Sequence, residues 1–249
     1  MTSPLGSLVN AVLAQVGAGS EFGAVVDDGR RRDLLRGLFQ SYYAREMDKE
    51  VVFDTNRLWC ARLPVLLDLF PDARIIACVR DVAWIMDSLE RMHRASPYEN
   101  TLLFGGNAAS SHVYNRLEGL AQANQLVGFA WSALREAFYG PSADRILVVD
   151  YDLLAQAPGK VLPLIYRFIG EPVFDHDFDS VEYDAREFDL RLGAPGLHKV
   201  RRKVEFTPRR AIIPPDLFAK YTAMTFWGDT GGSAANVIAP KSDAQTKQR

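Results

Sequence analysis

Arg80, Ser88 and Arg91 are spaced through residues 70–91, FPDARIIACVRDVAWIMDSLER, in a way that can hold an anion. Ile75, Ile76, Cys78 and Val79 form a nearly continuous apolar run, which predicts a short strand buried on both faces. Arg80 follows at the carboxyl end of that strand, where open parallel sheets collect their ligands. On the helix expected next, Trp84, Ser88 and Arg91 fall at i, i+4 and i+7, while Ile85, Leu89 and Met92 supply a separate apolar stripe. One face can therefore pack while the other offers a hydroxyl and guanidinium groups, the donors that suit a phosphate. Taken singly, Arg80 reads as a surface cation and Ser88 as a solvated helix residue. The flanking strand and helix pattern sets them apart.

Three further stretches carry side chains able to do chemistry. Tyr151 stands at the end of RILVVDY (145–151), where a tyrosine ordinarily packs its ring and bonds its hydroxyl locally. The segment GLHKVRRKV (196–204) concentrates Lys199, Arg201, Arg202 and Lys203, a run whose ordinary role is a solvated face, and it also contains His198. In FDTNRLW (53–59), Arg57 could meet developing negative charge, and Asp54 is either a base or a turn residue.

These residues need a framework, and the chain alternates helix with strand as a parallel α/β sheet does. The pattern predicts helices near Ser7–Val16, Asp28–Arg45, Trp59–Leu69, Val113–Leu120, Gln122–Phe138 and Pro158–Ile169, with another begun by Pro214 and Pro215. VVFDT (51–55), the run at 75–79 and RILVVDY are the expected strands. Residues 95–111 read as a long surface loop, and from Asp229 the Gly, Ser, Ala, Lys and Gln content predicts a disordered tail over 229–249. The rest, 1–228, is expected to be one α/β domain.

A chain of 249 residues with 48% hydrophobic content can bury an ordinary core, and a net charge of −2 gives no case for bulk nucleic-acid binding. No apolar stretch reaches the roughly 18 residues of a membrane span. The amino terminus lacks the basic start of a signal peptide, Arg30 being its first cation. With only Cys60 and Cys78, the latter in an expected core strand, disulfide stapling is not anticipated and a reducing cytoplasm is the simplest setting.

The Arg-x7-Ser spacing after a strand, introduced by FPDAR, resembles the 3′-phosphate-binding segment of sulfotransferases that use 3′-phosphoadenylyl sulfate (PAPS), in particular the bacterial and protein-tyrosine-type branch. The resemblance implies a three-layer, P-loop-like α/β fold and assigns Arg80 and Ser88 to the 3′-phosphate; helical spacing adds Arg91 to the same face as a candidate nucleotide contact. VVDYDLL followed by a helix ending in IGEP resembles the family's Tyr-Glu-Asp-Leu segment, which makes Tyr151 a nucleotide contact. The late basic run matches the loop that the family brings over the same phosphate, here with Lys199 and Arg201. The family's lysine near a strand end is absent, and Arg57 is the replacement, with Asp54 and His198 as candidate bases.

The family's first strand and Gly-rich 5′-phosphosulfate loop find no match in residues 1–50. GAGSEFG (17–23) lacks both a preceding buried strand and a basic residue, so either Met1 is an internal methionine of a longer protein, which is the expectation, or the chain is a true product that has lost its catalytic loop. The implied activity is transfer of a sulfuryl group from PAPS, without a metal, to a hydroxyl or amine of a small molecule or peptide. Neither nucleic acid nor membrane is an expected partner, and a homo-oligomer is compatible with the sequence. Acceptor choice would fall to 95–111 and the amino-terminal third. Two rivals differ in class: a non-catalytic, degenerate nucleotide-binding relative, and a P-loop kinase-like phosphotransferase, against which stands the absence of G-x-x-x-x-G-K-[ST].

Overall fold

The computed structural model describes residues 3–46, 48–95, 112–181, 183–191, 196, 198–200 and 202–240. The chain divides into two compact units, Met1–Ala73 and Arg74–Arg249, where the sequence reading drew one domain over 1–228.

The first unit is helical. It holds α1 (Leu5–Val16), α2 (Asp28–Tyr42), α3 (Leu58–Ala61) and α4 (Leu63–Leu69). Asp27 starts α2 by accepting the Arg30 N–H at 2.7 Å, the role its short side chain performs before a helix. The expected helix over Trp59–Leu69 is divided at Arg62, with Pro64 in the first turn of α4, where the missing N–H costs nothing. Leu5, Val9, Leu35, Trp59, Leu63 and Leu69 are buried, and Phe39 packs edge-on against Phe70 at 5.0 Å between ring centroids.

VVFDT is not a strand. Val51, Val52 and Phe53 are exposed in an irregular stretch, and the described strands all belong to the second unit. β-branched residues favour a strand only where a partner edge exists. The local chain is secured instead at Thr55 and Asn56, whose carbonyl and side-chain amide bond the Ser3 backbone at 3.2 and 3.1 Å.

The second unit contains a parallel sheet of order β1-β2-β3, formed by Ile75–Val79, Ile146–Asp150 and Asn236–Ile238. The first four residues of β2 are buried, as the central position demands, with Leu147 and Val149 packing on Val161 and Ile165. β1 lies at the side of this order and is only partly covered. Cys78 is exposed there, which corrects the expectation that it is a core residue. β3 also corrects the expected tail, since residues 236–238 pair with β2 in the register Val148↔Val237; residues 241–249 lie outside the described residues.

Helices α5 (Val82–Ala95), α6 (Val113–Ala121), α7 (Leu126–Phe138), α8 (Tyr151–Gln156), α9 (Pro158–Ile169), α10 (Arg186–Arg191) and α11 (Pro215–Thr222) complete the unit. α9 begins at proline and ends at Gly170, whose φ of 84° is the left-handed conformation that glycine adopts without strain. The expected 95–111 loop is outside the described residues from 96 onward.

The inner face of α5 differs from the apolar stripe read from sequence. Val82, Ala83, Met86 and Leu89 are buried together with two carboxylates, Asp87 and Glu90, both fully enclosed. Buried charge requires partners. Glu90 receives two bonds from Arg116, at 2.9 and 2.6 Å, and one from Arg94 at 2.7 Å. Burial opposes ionisation of Glu90, but the two arginines outweigh it and hold the carboxyl below its ordinary value.

A folded-state value below the unfolded one stabilises the protein above the ordinary pKa of 4.5 and is lost as pH falls through the depressed value. Glu90→Gln should therefore lower unfolding free energy by about 3 kcal/mol at neutral pH. Urea unfolding followed by circular dichroism should show that difference shrinking below pH 4.5. Equal stability of the two proteins at pH 7 would contradict it.

Candidate functional site

The register of β1 on β2 sets Val79 opposite Asp150, so the next residues of both strands emerge side by side. Arg80 leaves β1, while Tyr151 and Asp152 open α8. Arg80 Nε and Asp152 Oδ1 are buried and 2.9 Å apart, an ion pair without the alignment of a hydrogen bond. The guanidinium lies over the Tyr151 ring at 5.1 Å and beside the Trp84 ring at 5.9 Å. A carboxylate at Nε and two aromatic rings orient the group.

α5 brings Ser88 to the same place. Its hydroxyl donates to the Trp84 carbonyl at 2.9 Å and accepts from Arg209 Nη2 at 2.6 Å. Arg209 also lies over the Trp84 ring at 5.6 Å, so one indole is flanked by the guanidinium groups of Arg80 and Arg209. Burial draws the Arg209 pKa below its ordinary value; Asp87 opposes this, and the charges of Arg80 and Arg91 add to it. A cation held among other cations in this way is placed to receive an anion. Rotating the Ser88 hydroxyl off the Trp84 carbonyl would add a neutral donor to the set.

Arg91 joins from the next turn of α5. Its Nε contacts Asp87 at 2.9 Å, and its Nη2 bonds the Arg210 carbonyl. Sequence reading missed Arg209, which sits in TPRR (207–210) beyond the basic run where the late cations were expected. Density of charge was the wrong guide, because a guanidinium becomes a ligand group through orientation by neighbours. Within the denser run, Lys199 is exposed and Lys203 pairs with Asp179 at 2.7 Å; Arg201 lies outside the described residues.

His198 belongs to a separate dyad. Its Nδ1 is 2.6 Å from Asp189 Oδ1, and its backbone N–H donates to Oδ2 at 2.9 Å. Asp189 is fully buried at the α10 turn that follows the bridge of Tyr183 to Val200. Burial raises the Asp189 carboxyl, but the bonds from His198 and its ring charge prevail and bring it below the ordinary range. This fixes the imidazole through Nδ1 and leaves Nε2 as its other proton site.

In the first unit, Arg57 is exposed just before α3. Asp54 accepts the Tyr43 hydroxyl at 2.6 Å and the Trp59 indole N–H at 2.8 Å, one on each carboxylate oxygen. Burial and the Asp54 bond push the Tyr43 phenol well above its usual range. Burial also pushes the Cys60 thiol up to about 11, so it offers no thiolate near neutral pH.

The sequence model of the sulfotransferase family matches residues 24–176, more than half of the chain. That span includes Asp54, Arg57, Arg80, Ser88, Arg91 and Tyr151, and stops before His198 and Arg209. No curated protein and no solved structure matches the chain.

With both Asp54 oxygens engaged, Asp54→Ala should cost about 2 kcal/mol of stability by stranding two partly buried donors. Urea unfolding would measure it. An unchanged denaturation midpoint would show that the Tyr43 and Trp59 bonds do not hold this segment.

Proposed function

The chain belongs to the sulfotransferase family, and from that premise we propose that it moves a sulfuryl group from PAPS to a hydroxyl or amine acceptor. The observation that carries the reading is the gathering of Arg80, Ser88 and Arg209 around Trp84, at the carboxyl end of a parallel strand. Two guanidinium groups, with a hydroxyl that can turn to join them, match the oxygens of a phosphate monoester, and the 3′-phosphate separates this donor from ordinary adenine nucleotides. Tyr151, with its ring exposed beside Arg80, is the proposed second nucleotide contact.

The reaction we propose is an in-line displacement. The acceptor oxygen forms a bond to sulfur as the bond from sulfur to the phosphate oxygen breaks, releasing adenosine 3′,5′-bisphosphate. Such a transfer depends on positioning and on cations where negative charge grows, with no nucleophile from the protein. Arg57 is our candidate cation for the transferring group. Of the two candidate bases we propose His198 for the acceptor's proton over Asp54, both of whose oxygens are engaged.

Incubation with ³⁵S-labelled PAPS and a panel of hydroxyl and amine acceptors, in magnesium-free buffer, should give labelled product. Arg80→Ala should raise the KM for the donor about a hundredfold, the effect of losing two charge-assisted bonds. Unaltered donor KM in that variant, or transfer of a phosphoryl group from ATP in place of sulfate, would overturn the reading.

A further inference from the structure

Asp87 is a fully buried carboxylate at the centre of the arginine group, and neither oxygen faces outward. Oδ1 accepts the backbone N–H of Ile212 at 2.6 Å. Oδ2 contacts Arg91 Nε at 2.9 Å and Arg209 Nη2 at 3.2 Å. The Arg210 carbonyl closes the circuit by accepting from Arg91 Nη2. One side chain on α5 therefore holds a segment more than 120 residues distant through its backbone at 212 and its guanidinium at 209.

We propose that Asp87 is the positioning residue of the anion site: it fastens residues 209–212 along α5 so that Arg209 is held over Ser88 and Trp84, completing a cation set that Arg80 and Ser88 alone do not make. This rests on the reading of the site as one for a 3′-phosphate and adds a part to it. The argument turns on the sign of an effect. A carboxylate so close to a bound phosphate repels it through space, so if Asp87 acted only through charge, its neutralisation would tighten binding. As a positioning residue it does the reverse. Loss of its charge frees Arg209 and Arg91 to other orientations and weakens binding even though the local net charge has become more positive. Ile213, buried directly after Ile212, and the Trp84 to Phe218 contact at 5.1 Å show the same segment and α11 seated on α5 by apolar packing. The polar clamp therefore has to set orientation more than attachment.

The test compares wild type, Asp87→Asn, Arg209→Ala and the double variant in calorimetric titrations with adenosine 3′,5′-bisphosphate. Asparagine keeps an acceptor for the Ile212 N–H and preserves volume, and circular dichroism checks that each protein is folded. Asp87→Asn should weaken binding at least about tenfold, the size of one charge-assisted bond. In the Arg209→Ala background the same change should weaken binding far less than it does in the wild type, since Asp87 acts chiefly through Arg209 and only the smaller hold on Arg91 is left to lose. Tighter binding by Asp87→Asn, or additive losses in the double variant, would overturn the proposal. Hydrogen exchange of residues 207–214 supplies a readout independent of any nucleotide. It should accelerate in Asp87→Ala and stay slow in Arg80→Ala, and unchanged exchange in Asp87→Ala would equally overturn it. Absence of nucleotide binding by wild type together with the predicted exchange result would fault the phosphate reading and leave the clamp standing.

Discussion

Parallel pairing of β1 with β2 sets Val79 opposite Asp150, and Arg80, Tyr151 and Asp152 take their positions from that register. A shift of one residue would send Arg80 to the other face of the sheet and part it from Asp152 and Tyr151. β2 can enforce the register because it is apolar on both faces and enclosed between β1 and β3, so a slip would disturb Leu147 and Val149 against α9. The sheet thus converts hydrophobic burial into the direction of one guanidinium. The second layer of control is electrostatic. Asp152 and Asp87 each take a guanidinium Nε, which leaves the outer nitrogens of Arg80 directed by the two rings.

Much of this placement is legible in the chain, for a reason of scale. Arg80 and Ser88 are connected by a single strand-to-helix turn, and such local geometry follows from spacing alone. The helices α2, α7 and α9 were readable because long periodic patterns and boundary residues such as Pro158 and Gly170 act locally as well.

What was not legible depends on remote partners. Asp87 looks like a polar residue on a solvated face until the 209–212 segment, over a hundred residues later, folds onto it. Arg209 carries no periodic or compositional signal and gains its place from Ser88, Trp84 and Asp87. VVFDT had strand composition but no partner edge in its unit, whereas the short segment at 236–238, in polar surroundings, became a strand because β2 offered one. Cys78 became exposed by the same rule, being on the side strand of the order. Composition proposes strands, and the availability of an edge decides them.

The central claim is that the arginines around Trp84 recognise a 3′-phosphate, and the most direct measurement is isothermal titration of the full chain, free of magnesium, with adenosine 3′,5′-bisphosphate and with adenosine 5′-phosphate. The account predicts that the bisphosphate binds at least about a hundredfold more tightly, since only it places a phosphate against those donors. Equal affinity for the two nucleotides would contradict it.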